Sequence, residues 1–189
     1  MNTPQTHEIT KGNLRTPLGA LLAQGGEPID LASLTVTFFM LDNAGASVVA
    51  ESTTGVTKQP TQTFTVDTTE NRLICNAHRV QVGQQIVVSN SGGSLPSGLS
   101  SATRYFVVAR TPNFFKVSFI PNGAPVDITA AGSGTHSFYV VGTVQKEFLA
   151  ADVDTEGDYW AWFNVEESSE KDTFPVDGRK LMVKIVGAE

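Results

Sequence analysis

The stretch Tyr159-Trp160-Ala161-Trp162-Phe163-Asn164-Val165 decides the fold class. Side chains of an extended chain point to opposite faces in turn. Tyr159, Ala161, Phe163 and Val165 therefore share one face, and Trp160 and Trp162 the other. A helix would mix the two sets. The same period recurs upstream, where Leu34, Val36, Phe38 and Met40 alternate with Thr35, Thr37, Phe39 and Leu41, so this strand's second face turns apolar at its end. Asp42-Asn43-Ala44-Gly45 is a turn signal, and 47–52 reads as the return strand of a hairpin. Further strands are predicted at 144–148 and 181–186. Acidic and polar turns are read at 154–158, 166–172 and 175–178. Leu18 to Leu22 has the length of a helical turn, but Gly19 and the Gly25-Gly26 pair argue for strand and turn. No segment holds a helical period over 11 residues, and the predicted class is all-β.

Composition agrees. Charged residues make up 17% of the 189, against roughly 25% in ordinary globular domains. Glycine and proline, at 17 and 9, supply frequent turns. The formal net charge of −6 opposes binding to nucleic acid through phosphate neutralisation. No apolar run is long enough to span a bilayer as a helix, and the N-terminus lacks the apolar core of a secretion signal. A single cysteine, Cys75, leaves no disulfide framework and no cysteine-based zinc site.

The middle of the chain differs from its flanks. Residues 62–141 hold five basic and three acidic side chains, a net of +2, whereas the rest holds eight and sixteen, a net of −8. Short strand candidates follow one another at 63–66, 73–76, 85–89, 105–109, 115–119 and 137–141, joined by turn-like links. That is the signature of a small antiparallel barrel or sandwich. The flanks supply five or six strands between them, too few on either side for a domain of its own. The economical reading is an immunoglobulin-like sandwich formed by 1–61 plus 142–189, interrupted by an inserted β-domain at 62–141.

Candidate sites are few. Asp152, Asp154, Glu156 and Asp158 alternate, with Gly157 at the sixth place and Tyr159 following, but an EF-hand loop would need a bidentate Glu at the twelfth, where Phe163 stands. An acidic corner with a tyrosine packed on it is favoured, as in immunoglobulin-like sandwiches. His78 and His136 lack a third ligand at zinc spacing; each reads as an imidazole bonded to a backbone carbonyl to fix a loop. Cys75 reads as a small buried hydrophobe. No Gly-x-Ser-x-Gly elbow occurs. No catalytic, cofactor-binding or metal residue is assigned, and no enzyme activity is expected. Trp160 and Trp162 remain as interface candidates. If the Tyr159 face fills the core, two adjacent indoles need cover. The polar arm from Met1 to about Thr16 has too little apolar area to give it.

The flanks resemble the N-terminal module of the baseplate upper protein family of tailed bacteriophages. Gly26, Pro28, Ile29, Asp30, Leu31, Val36, Phe38 and Met40 fill the first part of that pattern. Gly157, Tyr159, Ala161, Phe163, Val165, Phe174, Pro175 and Gly178 fill the second. The middle is similar to a small β-module common in phage tail, fibre and other virion proteins. Its marks fall at Asn76-Ala77-His78 with Gly83, Leu95-Pro96 with Gly98-Leu99, Tyr105 with Val107-Val108, Phe115 with Ser118, and Gly132 with Gly134-Thr135-His136. These resemblances imply a structural virion protein without cofactors. It would be made in the host cytoplasm and assembled into a tail or baseplate, holding fibres or receptor-binding proteins, or set on the capsid surface as a decoration. Its partners would be other virion proteins and further copies of itself, with neither nucleic acid nor membrane. The alternative is a carbohydrate-binding module that meets a host surface glycan.

Overall fold

In the computed structural model, which describes residues 6–168, 170–175 and 181–187, the extended alternation read from the sequence becomes strands throughout. In chain order they are β1 (Thr6–Thr10), β2 (Leu18–Leu21), β3 (Ala23–Gln24), β4 (Glu27–Pro28), β5 (Thr35–Leu41), β6 (Ser47–Ser52), β7 (Val56–Lys58), β8 (Gln62–Asp67), β9 (Arg72–Ile74), β10 (Gln85–Ser91), β11 (Arg104–Arg110), β12 (Phe114–Ser118), β13 (Thr135–Val140), β14 (Thr143–Lys146), β15 (Gly157–Glu167), β16 (Glu170–Phe174) and β17 (Leu181–Val186). The helical content among the described residues is one 3₁₀ turn, Ala150–Val153. None of their helices is long and apolar enough to cross a membrane. The protein is all-β.

The chain divides into two compact units, Met1–Gln59 with Gly142–Glu189, and Pro60–Val141. In the first, one sheet runs β1-β17-β15-β5-β6, with β16 hanging on β15, and a second runs β2-β14-β7. Taking β2, β5, β6, β7, β14, β15 and β17 as strands B, C, C′, D, E, F and G, the order is G-F-C-C′ facing B-E-D. That is the pairing of an immunoglobulin-type sandwich. Val36, Phe38, Met40, Tyr159, Ala161, Phe163, Val183 and Ile185 from the large sheet and Leu18 and Val144 from the small one fill a common core.

The second unit is a closed antiparallel barrel in the order β10-β11-β12-β9-β8-β13. Its core includes Phe64, Leu73, Ile86, Val88, Tyr105, Val107, Phe115, Val117 and Phe138. Phe115 and Phe138 meet edge to face, with centroids 4.9 Å apart, the geometry that aromatic quadrupoles favour.

In sequence the barrel separates two strands that pair. β7 and β14 are antiparallel neighbours, with Lys58 opposite Val144, so the second unit occupies the D–E hairpin connection. Gln59 fastens this junction. Its amide donates to Thr143 O at 2.7 Å, and its side-chain oxygen accepts from Leu31 N at 2.8 Å and Gly142 N at 3.5 Å. Gly142 has a φ of +78°, and a Cβ there would lie 2.7 Å from Leu22 O. Only glycine fits such a place without strain.

Several sequence readings need correction. The arm 1–16 is not merely polar: Thr6–Thr10 is a strand parallel to β17, with Ile9 buried beneath it. The turn read at 166–172 is narrower, because β15 continues to Glu167 and pairs back onto β16 from Glu170. Val56–Lys58 and the β3–β4 ribbon are strands that alternation did not reveal. Of the turn read at 175–178, all but Pro175 lies outside the described residues, and so does the Gly178 of the resemblance.

Candidate functional site

Cross-strand register organises the outer face of the large sheet into rows. Trp160 stands between Leu41 on β5 and Met182 on β17. Trp162 is opposite Phe39, and the two rings stack 5.0 Å apart at an interplanar angle of 12°. These five side chains are half-buried, while Tyr159, Ala161 and Phe163 between them are buried. Together they form a two-row apolar band across three adjacent strands.

Polar rows bound the band on both sides. On one, Lys184 lies in register between Asp158 and Glu8, and its Nζ is 3.8 Å from Glu8 Oε2. On the other, Asn164 lies between Thr37 and Thr173, and Thr173 Oγ1 donates to Asn164 Oδ1 at 2.7 Å. Glu51 Oε1 accepts from Thr37 Oγ1 at 2.6 Å and Asn164 Nδ2 at 2.8 Å, and meets Lys171 Nζ at 2.5 Å. Lys171 first, then the Thr37 and Asn164 donors, hold the Glu51 carboxyl at a pKa of about 2. The polar groups on the Glu51 side of this rim are thus satisfied within the chain. An aromatic centre inside a polar rim is the usual anatomy of a protein–protein interface.

Trp160 and Trp162 are the residues singled out from the sequence, and both sit in the band. Part of their cover comes from within the sheet, through Phe39, Leu41 and Met182. Phe39 and Leu41 were visible as the apolar end of a strand face. Their placement beside the indoles needed the β5–β15 register.

The acidic corner does not converge on a cation. Asp152 turns inward to Lys146, with Oδ2 and Nζ 3.2 Å apart, and also accepts from Leu149 N at 2.9 Å. Asp154 accepts from Thr155 Oγ1 at 2.8 Å. Tyr159 Oη donates to Thr155 O at 2.9 Å, which is the tyrosine corner of immunoglobulin-type sandwiches. Burial, and after it the Asp154 and Asp42 charges, push the Tyr159 pKa up. Among the described residues no three of His, Cys, Asp and Glu gather where they could hold a metal ion. Sequence reasoning passed over Lys146, which is 1% exposed. Its Nζ donates to Thr54 O at 3.0 Å and lies over the Phe38 and Phe148 rings.

In the barrel, His78 Nε2 is 2.7 Å from Thr111 O, while its Nδ1 accepts from Val80 N at 3.1 Å. One nitrogen donates and the other accepts, the pattern of a neutral imidazole. His136 Nε2 is 3.0 Å from Ala131 O. Each ring ties a loop to a strand. Cys75 is half-buried rather than part of the core. Its thiol donates to Gln62 Oε1 at 3.4 Å, and burial raises its pKa, away from the thiolate that nucleophilic work requires.

No family model matches the chain, and no curated protein or solved structure matches it significantly.

Proposed function

We propose that the protein is a structural component of a tailed-phage particle, placed in the tail or baseplate, where it holds fibres or receptor-binding proteins. Capsid decoration is a variant of the same role. The apolar band on the large sheet carries this reading. It is a contiguous set of aromatic and aliphatic side chains bounded on two sides by polar rows, one of them bonded within itself, which suits packing against another protein, including a second copy of this chain. Monomers rarely leave such a patch to water. The sequence resemblance to baseplate and virion modules supplies the setting. Assembly would take place in the host cytoplasm, and the working location would be the virion.

A glycan-binding role fits the band less well. Trp162 lies flat on Phe39 and commits one ring face within the protein, where a sugar platform presents that face to the ligand. Peptide mass spectrometry of purified particles of the phage that encodes the chain, combined with cross-linking, tests the reading. The expected result is the protein in fixed stoichiometry, with cross-links to a virion neighbour from Lys184 or Lys171 beside the band. Its absence from particles, or specific retention of the soluble protein on a host-envelope glycan array, would overturn it.

A further inference from the structure

The barrel closes unevenly. β13 pairs with β10 over six residues, from Ile86 opposite Val140 to Ser91 opposite Thr135. With β8 it pairs over three, ending at His136 opposite Phe64. Beyond that point the strands part. Thr65, Val66 and Asp67 continue on β8, laddered to β9 through Ile74, Leu73 and Arg72, and β13 no longer pairs them. The chain leading into β13 is held away from β8 by its own bonds. Ser133 N donates to Ser94 O at 2.9 Å, Asn90 Nδ2 donates to Ser133 O at 2.7 Å, and His136 anchors Ala131 O. Residues 131–135 thereby form a fixed wall. Between wall and strand lies a groove of about 600 Å³.

The lining restricts what can enter. It contains no Asp, Glu, Lys or Arg, so nothing in it selects a phosphate, a nucleic acid or a charged peptide. Hydroxyls come from Thr63, Thr65 and Thr135, and Ile74 and Val66 add apolar surface. The rings in the lining, Phe64 and His136, are 4% and 7% exposed and face each other, which leaves no platform for stacking a sugar. What the groove does offer is a strand edge. Main-chain N–H and C=O groups along such an edge are a template for another extended chain, with neighbouring pockets receiving alternate side chains. Thr65 and Val66 line the groove along that edge, a span of about 7 Å.

We propose that this groove binds an extended, uncharged peptide segment of a partner protein, which adds to the edge of β8 at 65–66 and lies against the 131–135 wall. The test uses the full chain and a displayed library of random peptides lacking Asp, Glu, Lys and Arg. Thr65→Tyr and Thr135→Tyr each put a ring into the groove from an exposed strand position, where tyrosine is well tolerated. Each should keep the wild-type melting curve, and if one does not, the other carries the comparison. Enriched peptides should bind the wild type and lose about tenfold or more in affinity on either variant. On the wild-type protein they should slow amide exchange at residues 65 and 66. The proposal fails if no peptide is enriched, if the variants bind as the wild type does, or if protection appears elsewhere. It also fails if a neutral N-acetylglucosamine oligomer displaces the peptides, since that would make the groove a sugar site.

Discussion

In the barrel, Phe64, Tyr105, Phe115 and Phe138 lie inside, and rings nearer the surface stand apart from one another, Phe119 largely exposed. Phe114 sits under the Arg72 guanidinium at 4.6 Å, and Phe119 leans on Tyr105 at 5.4 Å. In the sandwich the inner face is filled as thoroughly, yet Phe39, Leu41, Trp160, Trp162 and Met182 stand side by side on the outer face. The difference follows from closure. A barrel has one inside, and its outward positions are scattered around the circumference. An open sheet has a second flat face, where the strand register can bring apolar side chains into adjoining rows. Dispersed outward rings are ordinary surface, whereas a registered band gathers apolar side chains into one patch, which on the proposed reading receives a partner.

The two units also bury polar groups differently. The barrel's His78 and His136 are tied to backbone carbonyls. The sandwich buries a charge, Lys146, against Asp152. Removing one member of a buried ion pair strands the other, which costs about 3–5 kcal/mol. Asp152→Ala should therefore lower the unfolding transition of the sandwich by that amount and leave the barrel's transition in place, as followed by urea denaturation with amide exchange resolved by unit. Equal loss in both units would erase the contrast drawn here. Lys146→Met, which replaces the charge with an apolar stem of similar length, should cost less than Asp152→Ala.

A smaller effect is expected from removing the barrel altogether. Because β7 and β14 already pair across the junction, replacing Pro60–Val141 with a short Gly/Ser linker leaves a hairpin, and loop length itself is worth only about 0.6 kcal/mol per doubling. The shortened chain should keep a cooperative thermal transition and the near-ultraviolet signal of its tryptophans. A soluble product without a transition would show that the sandwich depends on the barrel.

The smallest effect concerns the rim. The folded pKa of Glu51 lies below its ordinary 4.5, at about 2. A depressed carboxylate contributes stability above its unfolded pKa and loses it as pH falls through the folded one. The contribution is thus present above pH 4.5 and fades toward pH 2. Glu51 is partly exposed, so solvent screening keeps its worth under about 1 kcal/mol. Glu51→Gln should flatten the acid limb of the sandwich's stability curve in that window and lower its stability near neutral pH by no more than about 1 kcal/mol. An unchanged acid limb would mean that the rim network does not hold in solution.

Much of this was legible in the sequence, and what escaped has physical reasons. Each barrel strand was marked as a short candidate between turn-like links, and 181–186 coincides with β17, whose alternate residues are buried. β1 was not marked, since THEIT buries a single apolar residue, Ile9, and its partner strand lies at the far end of the chain. β16, EKDTF, buries only Phe174 and reads as a polar turn. A lysine in a strand reads as solvent-facing, so Lys146 could not be seen as buried without the rings and the carboxylate around it. The indoles were identifiable by alternation alone. The band they belong to was not, because it depends on which residues of β5 and β17 fall opposite them. The β8 groove was equally hidden, since it arises where a pairing stops.

Sedimentation velocity of the full chain beside Trp160→Ala/Trp162→Ala, each with its melting curve, tests the role of the band most directly. Buried aromatic anchors of this kind carry about 2 kcal/mol or more each. The wild type should form a discrete oligomer at micromolar concentration, and the double variant should sediment as a folded monomer with a near-normal melting curve. A variant that assembles as the wild type does, a wild type that stays monomeric, or a variant that unfolds outright would contradict the account.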